Sequence, residues 1–599
     1  MRKASGGAKP RMRDIYRRRT LSLMCIFCIL FLACFARFAQ LQLFRDSTAA
    51  EAADRRTVVR ALEASRGTIN DANGVILAQS ADRYTVYADQ RGAAGFEPLE
   101  CSQNYETECH QIDGKNVEGT GPAAVARLLA PILGEDTKEL GGKLVGDNAY
   151  VVLKKNVTPE IKRKIDDLNL AGIIGTEKTS VREYPNDTLL GSILGGIDND
   201  GNGVAGVEKM ADESLKGENG SVRYQQGMYG QEIPGTQTET NPEKNGGTVN
   251  LTIDQDVQWY VNKALKEGKE ENGAAWGVAV VQEVSTGKIL AISDTDAYAA
   301  GSADAKLKGS RAMTYTYDPG STGKVITVAG VLQEGLHKIT DRFSVPESIT
   351  LDGQTFRDAS SHGAWNITLA GVLTYSSNVG TLMASQNYSL QKRYEYMSRF
   401  GLGQLSGINF PGESPGLFYN WDQWDGRMKN TVLFGQGYTS NALQMTNVFA
   451  TIANKGVRMG QKLIDKSSDA NGNDTTPETN APQRVLDEQV AADVLNALET
   501  DSEFYKLKIN GYRYGAKTGT AEVASDNGEL SGIVGDFIAV VPSDNPRYVV
   551  SVFYRDPVKT TDGLQTAGPT ATKIGEFLMQ KYQVPKSPER QNGVEPTWR

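Results

Sequence analysis

Histidine is scarce in this chain: three in 599 residues, His110, His337 and His362, far apart in sequence. A His-rich metal centre is therefore poorly supplied, and a Ser-His-Asp triad has few candidates. A basic face for nucleic acid is missing too. The net charge is −8, and the first nineteen residues hold eight Lys/Arg against one acid, Asp14, so the remainder is more acidic still. Cofactor motifs fail on inspection. "GNGVAG" (Gly201 to Gly206) satisfies G-x-G-x-x-G but lacks a clear strand-turn-helix unit and an acid about 20 residues on. "DNDGNG" (Asp198 to Gly203) opens like a calcium loop, yet its twelfth position is Lys209 instead of Glu. Both read as one glycine-rich loop, and no metal or cofactor is expected.

What the chain does have begins behind the basic stretch. "LSLMCIFCILFLACFA", Leu21 to Ala36, is sixteen residues without a charge, and "RFAQLQLF" extends it to the roughly 20 residues a bilayer requires, with Arg37 snorkelling. No A-x-A cleavage site follows, and "FLAC" is a poor lipoprotein site at Cys34. The reading is an uncleaved anchor with its basic end inside and residues 42–599 outside the cytoplasm. Cys25, Cys28 and Cys34 lie in this run as small apolar residues, leaving Cys101 and Cys109 as a possible disulfide pair in the exported part.

Further along, "NDANG" in "RGTINDANGVILA" sits between β-type runs as a hairpin turn would. "GQEIPGTQTETNPEKNGG" has no apolar periodicity and reads as a linker between domains. Past it, Val257, Val261 and Leu265 recur at helical spacing, and near the end Ile574, Phe577, Leu578 and Tyr582 share one helix face before a polar tail.

"STGK" occurs twice. The first copy, Ser285 to Lys288, lies between the β-type runs "WGVAVVQEV" and "ILAIS" and reads as a hairpin tip with Gly287 in the turn. The second, Ser321 to Lys324, precedes "VITVAGVLQEG", whose Val325, Val328, Ala329 and Leu332 predict a helix, so Ser321 opens that helix with Lys324 one turn on. There the helix dipole favours negative charge on the hydroxyl, and a lysine with a lowered pKa can take its proton. A phosphate loop would need Gly at 318 and Ser/Thr at 325, where the chain has Asp318 and Val325.

One Ser-x-x-Lys is weak evidence, so companions matter. "SDN" at Ser543 to Asn545 lies between prolines and strand-like runs and reads as a hairpin turn; "SQN" at Ser385 reads as helix surface. "SSN", Ser376 to Asn378, falls between two helix-like stretches and is the better candidate. "YGAKTGTAEV" brings Lys517, Thr518, Gly519 and Thr520 onto a strand, where a cation and hydroxyls suit a substrate carboxylate and a backbone N–H can serve an oxyanion. In this order the three elements form one acyl-transfer set.

With these motifs the chain resembles the class B penicillin-binding proteins, the monofunctional peptidoglycan D,D-transpeptidases, from the anchor to about residue 582. "RGTINDANGVILA", "REYPNDTLLGSILG" and "GVAGVE" are similar to pedestal motifs; "LTIDQDVQ", "GKILAIS", "YDPGSTGK", "SSN", "FGQGY" and "KTGTAE" are similar to landmarks of the transpeptidase domain. The length and pedestal look most like the division-type, FtsI-like branch, with an elongation-type relative as alternative; "SNALQ" stands where Thr-Pro is usual after "FGQGY". A membrane-anchored carboxypeptidase or β-lactamase shares the three motifs but has no need of a pedestal, and nineteen residues are few for the cytoplasmic part of a β-lactam sensor.

The resemblance implies an α+β fold. It comprises a short basic cytoplasmic tail (1–19), a transmembrane helix (20–41), an elongated mixed pedestal (42–230), a linker (231–247), a transpeptidase domain (248–585) and a polar tail (586–599). The transpeptidase domain is expected to hold a central antiparallel sheet covered by helices, plus an all-helical lobe. It implies Ser321 as the acylated nucleophile and Lys324 as its activator, with Ser376 and Asn378 passing protons and orienting the peptide. Lys517, Thr518, Gly519 and Thr520 would bind the terminal carboxylate, and the backbone N–H groups of Ser321 and Thr520 would form the oxyanion hole. The implied substrate is the D-Ala-D-Ala end of a peptidoglycan stem peptide, and the implied inhibitors are β-lactams. Implied partners are a membrane-embedded glycan polymerase of the SEDS type and other division proteins, at the septum of a bacterial cell membrane.

Overall fold

The computed structural model describes residues 12–43, 56–101, 109–227, 233, 235–296, 298–524 and 530–599. The first eleven residues of the basic tail, residues 44–55 of the expected pedestal and positions 231, 232 and 234 of the expected linker lie outside the described residues. The charge-free run lies in a helix, Met12–Leu43, whose stretch Tyr16–Gln42 is long and apolar enough to cross a membrane. Phe27, Phe31 and Phe35 on it are exposed, as a single lipid-facing helix requires.

The chain, this helix included, divides into two units, neither contiguous in sequence. The smaller comprises Met1–Glu63, Tyr84–Glu177 and Asn219–Glu243. In it, strand Thr57–Leu62 pairs antiparallel with Gly220–Gln225, which pairs in turn with Thr238–Asn241. The segment read as linker therefore carries a strand; its Thr-Glu-Thr-Asn sequence shows no apolar alternation, so the pairing is set by its partner. Helix Gly121–Leu133 starts with a proline, ends at Gly134 in the left-handed region (φ 64°), and buries Val125, Leu128, Leu129 and Leu133 against Val86, Leu153 and Val157. Cys101 and Cys109 are bonded through their Sγ atoms.

The larger unit comprises Ala64–Arg83, Lys178–Glu218 and Lys244–Arg599. Strand Thr68–Asn70 turns back on the strand beginning at Ile76 and also pairs in parallel with Thr248–Leu251, which is why this early segment belongs with the later chain. The "NDANG" turn is closed by Asp71 Oδ1, which accepts from the backbone N–H of Asn73 and Val75 at 2.8 Å each. Three of the family-like motifs meet in one buried ion cluster. Arg66 Nε and Arg182 Nε each lie 2.7 Å from Glu208, Tyr184 Oη donates to the same carboxylate at 3.2 Å, and Arg66 Nη1 lies 2.6 Å from Asp212.

The site stands on a five-stranded antiparallel sheet: β1 (Trp276–Glu283), β2 (Ile289–Asp294), β3 (Gly515–Ala524), β4 (Leu530–Val541) and β5 (Tyr548–Arg555), in spatial order β2-β1-β5-β4-β3. Its strands are apolar on both faces because two cores cover it. Along β1, Val278 and Val280 enter one core while Ala279 and Val281 enter the other, and along β4 Ile538 and Val540 alternate with Phe537 and Ala539 in the same way. Helices α1 (Gln255–Asn272) and α5 (Gly563–Lys581) fill the second core with Val257, Val261, Leu265, Ile574 and Leu578, each worth roughly 1.5–3 kcal/mol of burial. The first core holds α2 (Lys324–Gln333), α3 (Asn378–Ala384) and α4 (Glu488–Tyr505), accompanied by two short two-stranded sheets.

The tail expected to be merely polar is docked. Arg590 pairs with Glu503 at 2.8 Å, Thr368 N donates to Pro596 O, and Trp598 Nε1 donates to Phe343 O and Ile367 O at 3.2 Å each. Trp598 is the aromatic anchor among these polar contacts.

Candidate active site

The two STGK copies part as the flanking patterns predict. Ser285 to Lys288 joins β1 to β2, with Gly287 at φ 74°. Ser321 lies in a single 3-10 turn, Gly320–Gly323, that runs into α2 at Lys324, so the helix entry is tighter than a plain α-helix start. That turn is held from outside. Gly320 N donates to Gly435 O at 2.8 Å, and a Cβ on Gly435, itself at φ 84°, would stand 1.9 Å from Gly320 O. The "FGQGY" motif is thus the bed of the Ser321 turn, and any side chain at 435 would displace it.

Lys324 Nζ lies 2.9 Å from Ser321 Oγ, 2.6 Å from Ser376 O and 3.3 Å from Ser376 Oγ. Lys517 Nζ reaches the same Ser376 Oγ at 3.2 Å, and also Tyr505 Oη at 3.4 Å and Thr518 O at 3.3 Å. Two lysines, 1% and 0% exposed, therefore converge on one hydroxyl. Ser376 achieves this in the left-handed region, φ 53°, a conformation costing a non-glycine residue about 1–3 kcal/mol. Burial pushes Lys324 well below the ordinary lysine range, and the neighbouring Lys517 charge pushes the same way against a smaller pull from Asp358. Burial also lowers Lys517 on balance, against smaller opposing pulls from the surrounding carboxyls, Asp501 first. Both lysines are thus lowered, Lys324 the more strongly, so the amine beside Ser321 is the one most favoured as neutral.

Ser321, Lys324, Ser376 and Lys517 thus form one hydrogen-bonded chain, and Thr518 joins it through Tyr505 Oη at 3.5 Å. The other sequence-predicted residues lie close in the fold but outside that chain. Asn378 Nδ2 donates to Arg357 O at 3.1 Å, and Thr520 Oγ1, exposed, donates to Thr561 O at 3.3 Å. Gly519 is buried, and a Cβ there would stand 1.8 Å from Asp536 Oδ1, so its open space on that side is taken by a protein carboxyl. Ser385, read as helix surface, is instead the fully buried C-cap of α3. Ser543 sits in the turn between β4 and β5 as expected.

Sequence reasoning missed the supporting groups. Asp358 braces the Ser376-Ser377-Asn378 turn, accepting from Ser377 Oγ at 2.8 Å and Val379 N at 3.0 Å, while His362 Nε2 lies 3.0 Å from it. Tyr505, Asp501 and Asp536 surround Lys517. Only Asp536 leaves a trace in the sequence, as a lone acid inside the apolar strand "GDFIAVV".

Comparison with known proteins agrees along nearly the whole chain. Residues 277–576 match the penicillin-binding protein transpeptidase domain, and residues 61–251 match the penicillin-binding protein dimerisation domain. The penicillin-binding protein PbpB of Mycolicibacterium smegmatis is 32% identical over 96% of this chain and 92% of its own. The crystal structure of a peptidoglycan synthetase from Bifidobacterium adolescentis is 50% identical, with a TM-score of 0.74 over 91% of this chain and 100% of that one. Penicillin-binding protein 3 of Mycobacterium tuberculosis, solved in complex with aztreonam, is 26% identical, with a TM-score of 0.67 over 90% of this chain and 100% of that one. Motifs, sheet, convergent lysines and relatives together identify the chain as a member of the class B penicillin-binding proteins, the peptidoglycan D,D-transpeptidases.

Proposed function

We propose that Ser321 is the nucleophile of an acyl-enzyme transpeptidation that crosslinks stem peptides during septal wall synthesis. The observation that carries the reading is the contact between Lys324 Nζ and Ser321 Oγ at 2.9 Å, made by a buried lysine whose pKa burial and Lys517 both lower. Ser321 Oγ attacks the carbonyl carbon of the penultimate D-Ala as its proton passes to Lys324. Backbone N–H groups of Ser321 and Thr520 receive the oxyanion. The C–N bond then breaks, and the leaving D-Ala amine takes its proton from the Lys324–Ser376 pair. An amine from a neighbouring strand attacks the ester, gives up a proton by the same route, and restores the Ser321 hydroxyl. Lys517, Thr518 and Thr520 hold the terminal carboxylate, Gly519 leaves the room that the Asp536 carboxyl occupies beside that strand, and Asn378 orients the peptide amide.

β-Lactams present a strained amide and a carboxylate to the same groups and stay attached as esters of Ser321. The anchor holds the enzyme in the bacterial membrane with residues 42–230 as pedestal, 231–247 as linker and 248–585 as the catalytic domain. A SEDS-type polymerase and other division proteins supply glycan strands at the septum. Labelling with a fluorescent penicillin tests the mechanism: Ser321→Ala should lose the label and Ser285→Ala should keep it. Retained labelling in Ser321→Ala would sink the mechanism. A fluorescent fusion in dividing cells tests the septal role, and an even side-wall distribution would count against it.

A further inference from the structure

Two fully buried acids flank Lys517, and their hydrogen bonds differ in kind. Asp501, on α4, has Oδ1 2.6 Å from Thr374 Oγ1, whereas the alternative acceptor for that hydroxyl, Ala370 O, is at 3.2 Å. The hydroxyl proton goes to the nearer carboxylate. Asp536, on β4, reverses the order. Its Oδ2 lies 3.2 Å from Thr322 Oγ1, whose other neighbour, Pro319 O, is at 2.7 Å. A carbonyl can only accept, so the single hydroxyl proton belongs to Pro319 O. The contact with Asp536 is then a hydrogen bond only if Asp536 is the donor. Its second oxygen, Oδ1, like Oδ2 of Asp501, meets no hydrogen-bond partner among the described residues; it lies against Gly519, directly opposite Asp536 in the β3–β4 ladder.

We propose that Asp536 is a positioning residue that works as a neutral acid: its proton, donated to Thr322, ties the turn carrying Ser321 to the strand carrying Gly519, and its neutrality leaves the Lys517 charge free for a substrate carboxylate. The inference rests on the reading of Ser321 as nucleophile and Lys517 as carboxylate anchor. Asp501, which burial pushes up less, to about 7, and which accepts from the Thr374 hydroxyl at 2.6 Å, is the counterion in this arrangement. The charged and titratable groups facing Asp536 are Lys517 from β3 and Tyr317 from the segment before the Ser321 turn; Asp501 and Asp562 reach it through Lys517. Burial pushes the Asp536 carboxyl up to about 8, against lesser pulls from the Thr322 hydroxyl and the Lys517 charge. Above that pH, ionised Asp536 competes with substrate for Lys517, so carboxylate-bearing ligands acylate more slowly.

The test is the second-order rate of acylation of the full-length protein in detergent by a fluorescent penicillin between pH 6 and 9.5, for wild type, Asp536→Asn and Asp536→Ala. The asparagine amide can donate to Thr322 and never ionises. At pH 7, Asp536→Ala should lose at least about tenfold and Asp536→Asn should recover to within about threefold of wild type. The wild-type rate should fall with a midpoint near pH 8, and in Asp536→Asn that fall should move up by a pH unit or more. An unmoved fall, or equal rates for the two variants at pH 7, overturns the proposal. If the alanine variant does not fold, the position of the fall in Asp536→Asn decides alone; if neither folds, a wild-type rate without a fall between pH 7 and 9 overturns it and a fall supports it. Labelling retained by Ser321→Ala would sink the underlying mechanism; an unmoved fall with Ser321 labelling intact sinks this inference only.

Discussion

Replacing Lys324 by arginine keeps a cation in place and removes the ability to accept a proton near neutral pH, since a guanidinium stays charged above pH 12. The geometry makes this a test of the base itself. Lys324 Nζ is the one ionisable group in hydrogen-bonding contact with Ser321 Oγ among the described residues, at 2.9 Å, and the side chain is 1% exposed. General-base catalysis contributes about 10²–10⁴ in rate. Lys324→Arg should therefore lose about 3–5 kcal/mol of transition-state stabilisation, at 1.36 kcal/mol per decade. Wild-type acylation should rise with pH as Lys324 loses its proton, because the neutral amine is the active form and its pKa lies below that of free lysine. Lys324→Arg should show no such rise at any pH studied. Lys517 supplies the control. Lys517→Arg keeps the charge that lowers Lys324, so the acid limb should stay where it is while the rate drops modestly from crowding against Ser376, Tyr505 and Thr518. Lys517→Met removes that charge, so Lys324 should hold its proton to higher pH and the acid limb should move up. Rapid-quench acylation rates for the three variants against pH decide the matter. A Lys324→Arg variant that acylates at near wild-type rate, or an acid limb that ignores Lys517→Met, would show that another group takes the serine's proton.

The disulfide should be visible chemically: of five cysteines, only Cys25, Cys28 and Cys34 should react with a thiol reagent in denatured, unreduced protein, and labelling of Cys101 and Cys109 would refute the bridge. Closing that short loop contributes roughly 2.5 kcal/mol by chain entropy, so reduction should lower the urea midpoint of the smaller unit. Glu208→Ala should be far more damaging, about 3–5 kcal/mol, because it strands Arg66 and Arg182, side chains 7% and 3% exposed, without their shared carboxylate. A urea midpoint equal to wild type would mean the cluster is not load-sharing as its distances imply.

Local pattern was enough for the elements whose cause is local. The apolar spacing of Val257, Val261 and Leu265 predicted α1, the β-type runs around Gly287 predicted the β1–β2 hairpin, and "NDANG" predicted a turn that Asp71 closes. Where pairing partners are far apart, the pattern was silent. Thr238–Asn241 has no apolar alternation to announce a strand, yet Gly220–Gln225 offers it an edge. Thr68–Asn70 pairs with Thr248–Leu251, 180 residues away, and nothing in either segment names the other. The docked tail is a similar case, since Trp598 finds its acceptors at Phe343 and Ile367, on two paired strands more than 200 residues earlier.

The groups proposed to react could be picked out because each needs a particular side chain at a particular spacing: a hydroxyl and an amine one turn apart, and a cation followed by hydroxyls on a strand. The groups that tune them follow no such rule. Asp501 sits in "ETDSEFY", where three acids and two hydroxyl residues look like a solvated helix end, and only the fold turns that face inward toward Lys517. Tyr505, next along the same helix, would pass for a core aromatic, yet its hydroxyl is within 3.4 Å of Lys517 Nζ. Asp358 lies in a loop whose sequence suggests nothing beyond a turn, and it braces the residues on either side of Asn378. A buried lysine can be neutral or charged at pH 7, and the choice between those states is made by carboxyls and phenols that reach it from other elements. Sequence motifs therefore nominate the candidate reacting groups, while the protonation state of each depends on contacts such as Asp536 with Thr322, made across 214 residues of chain.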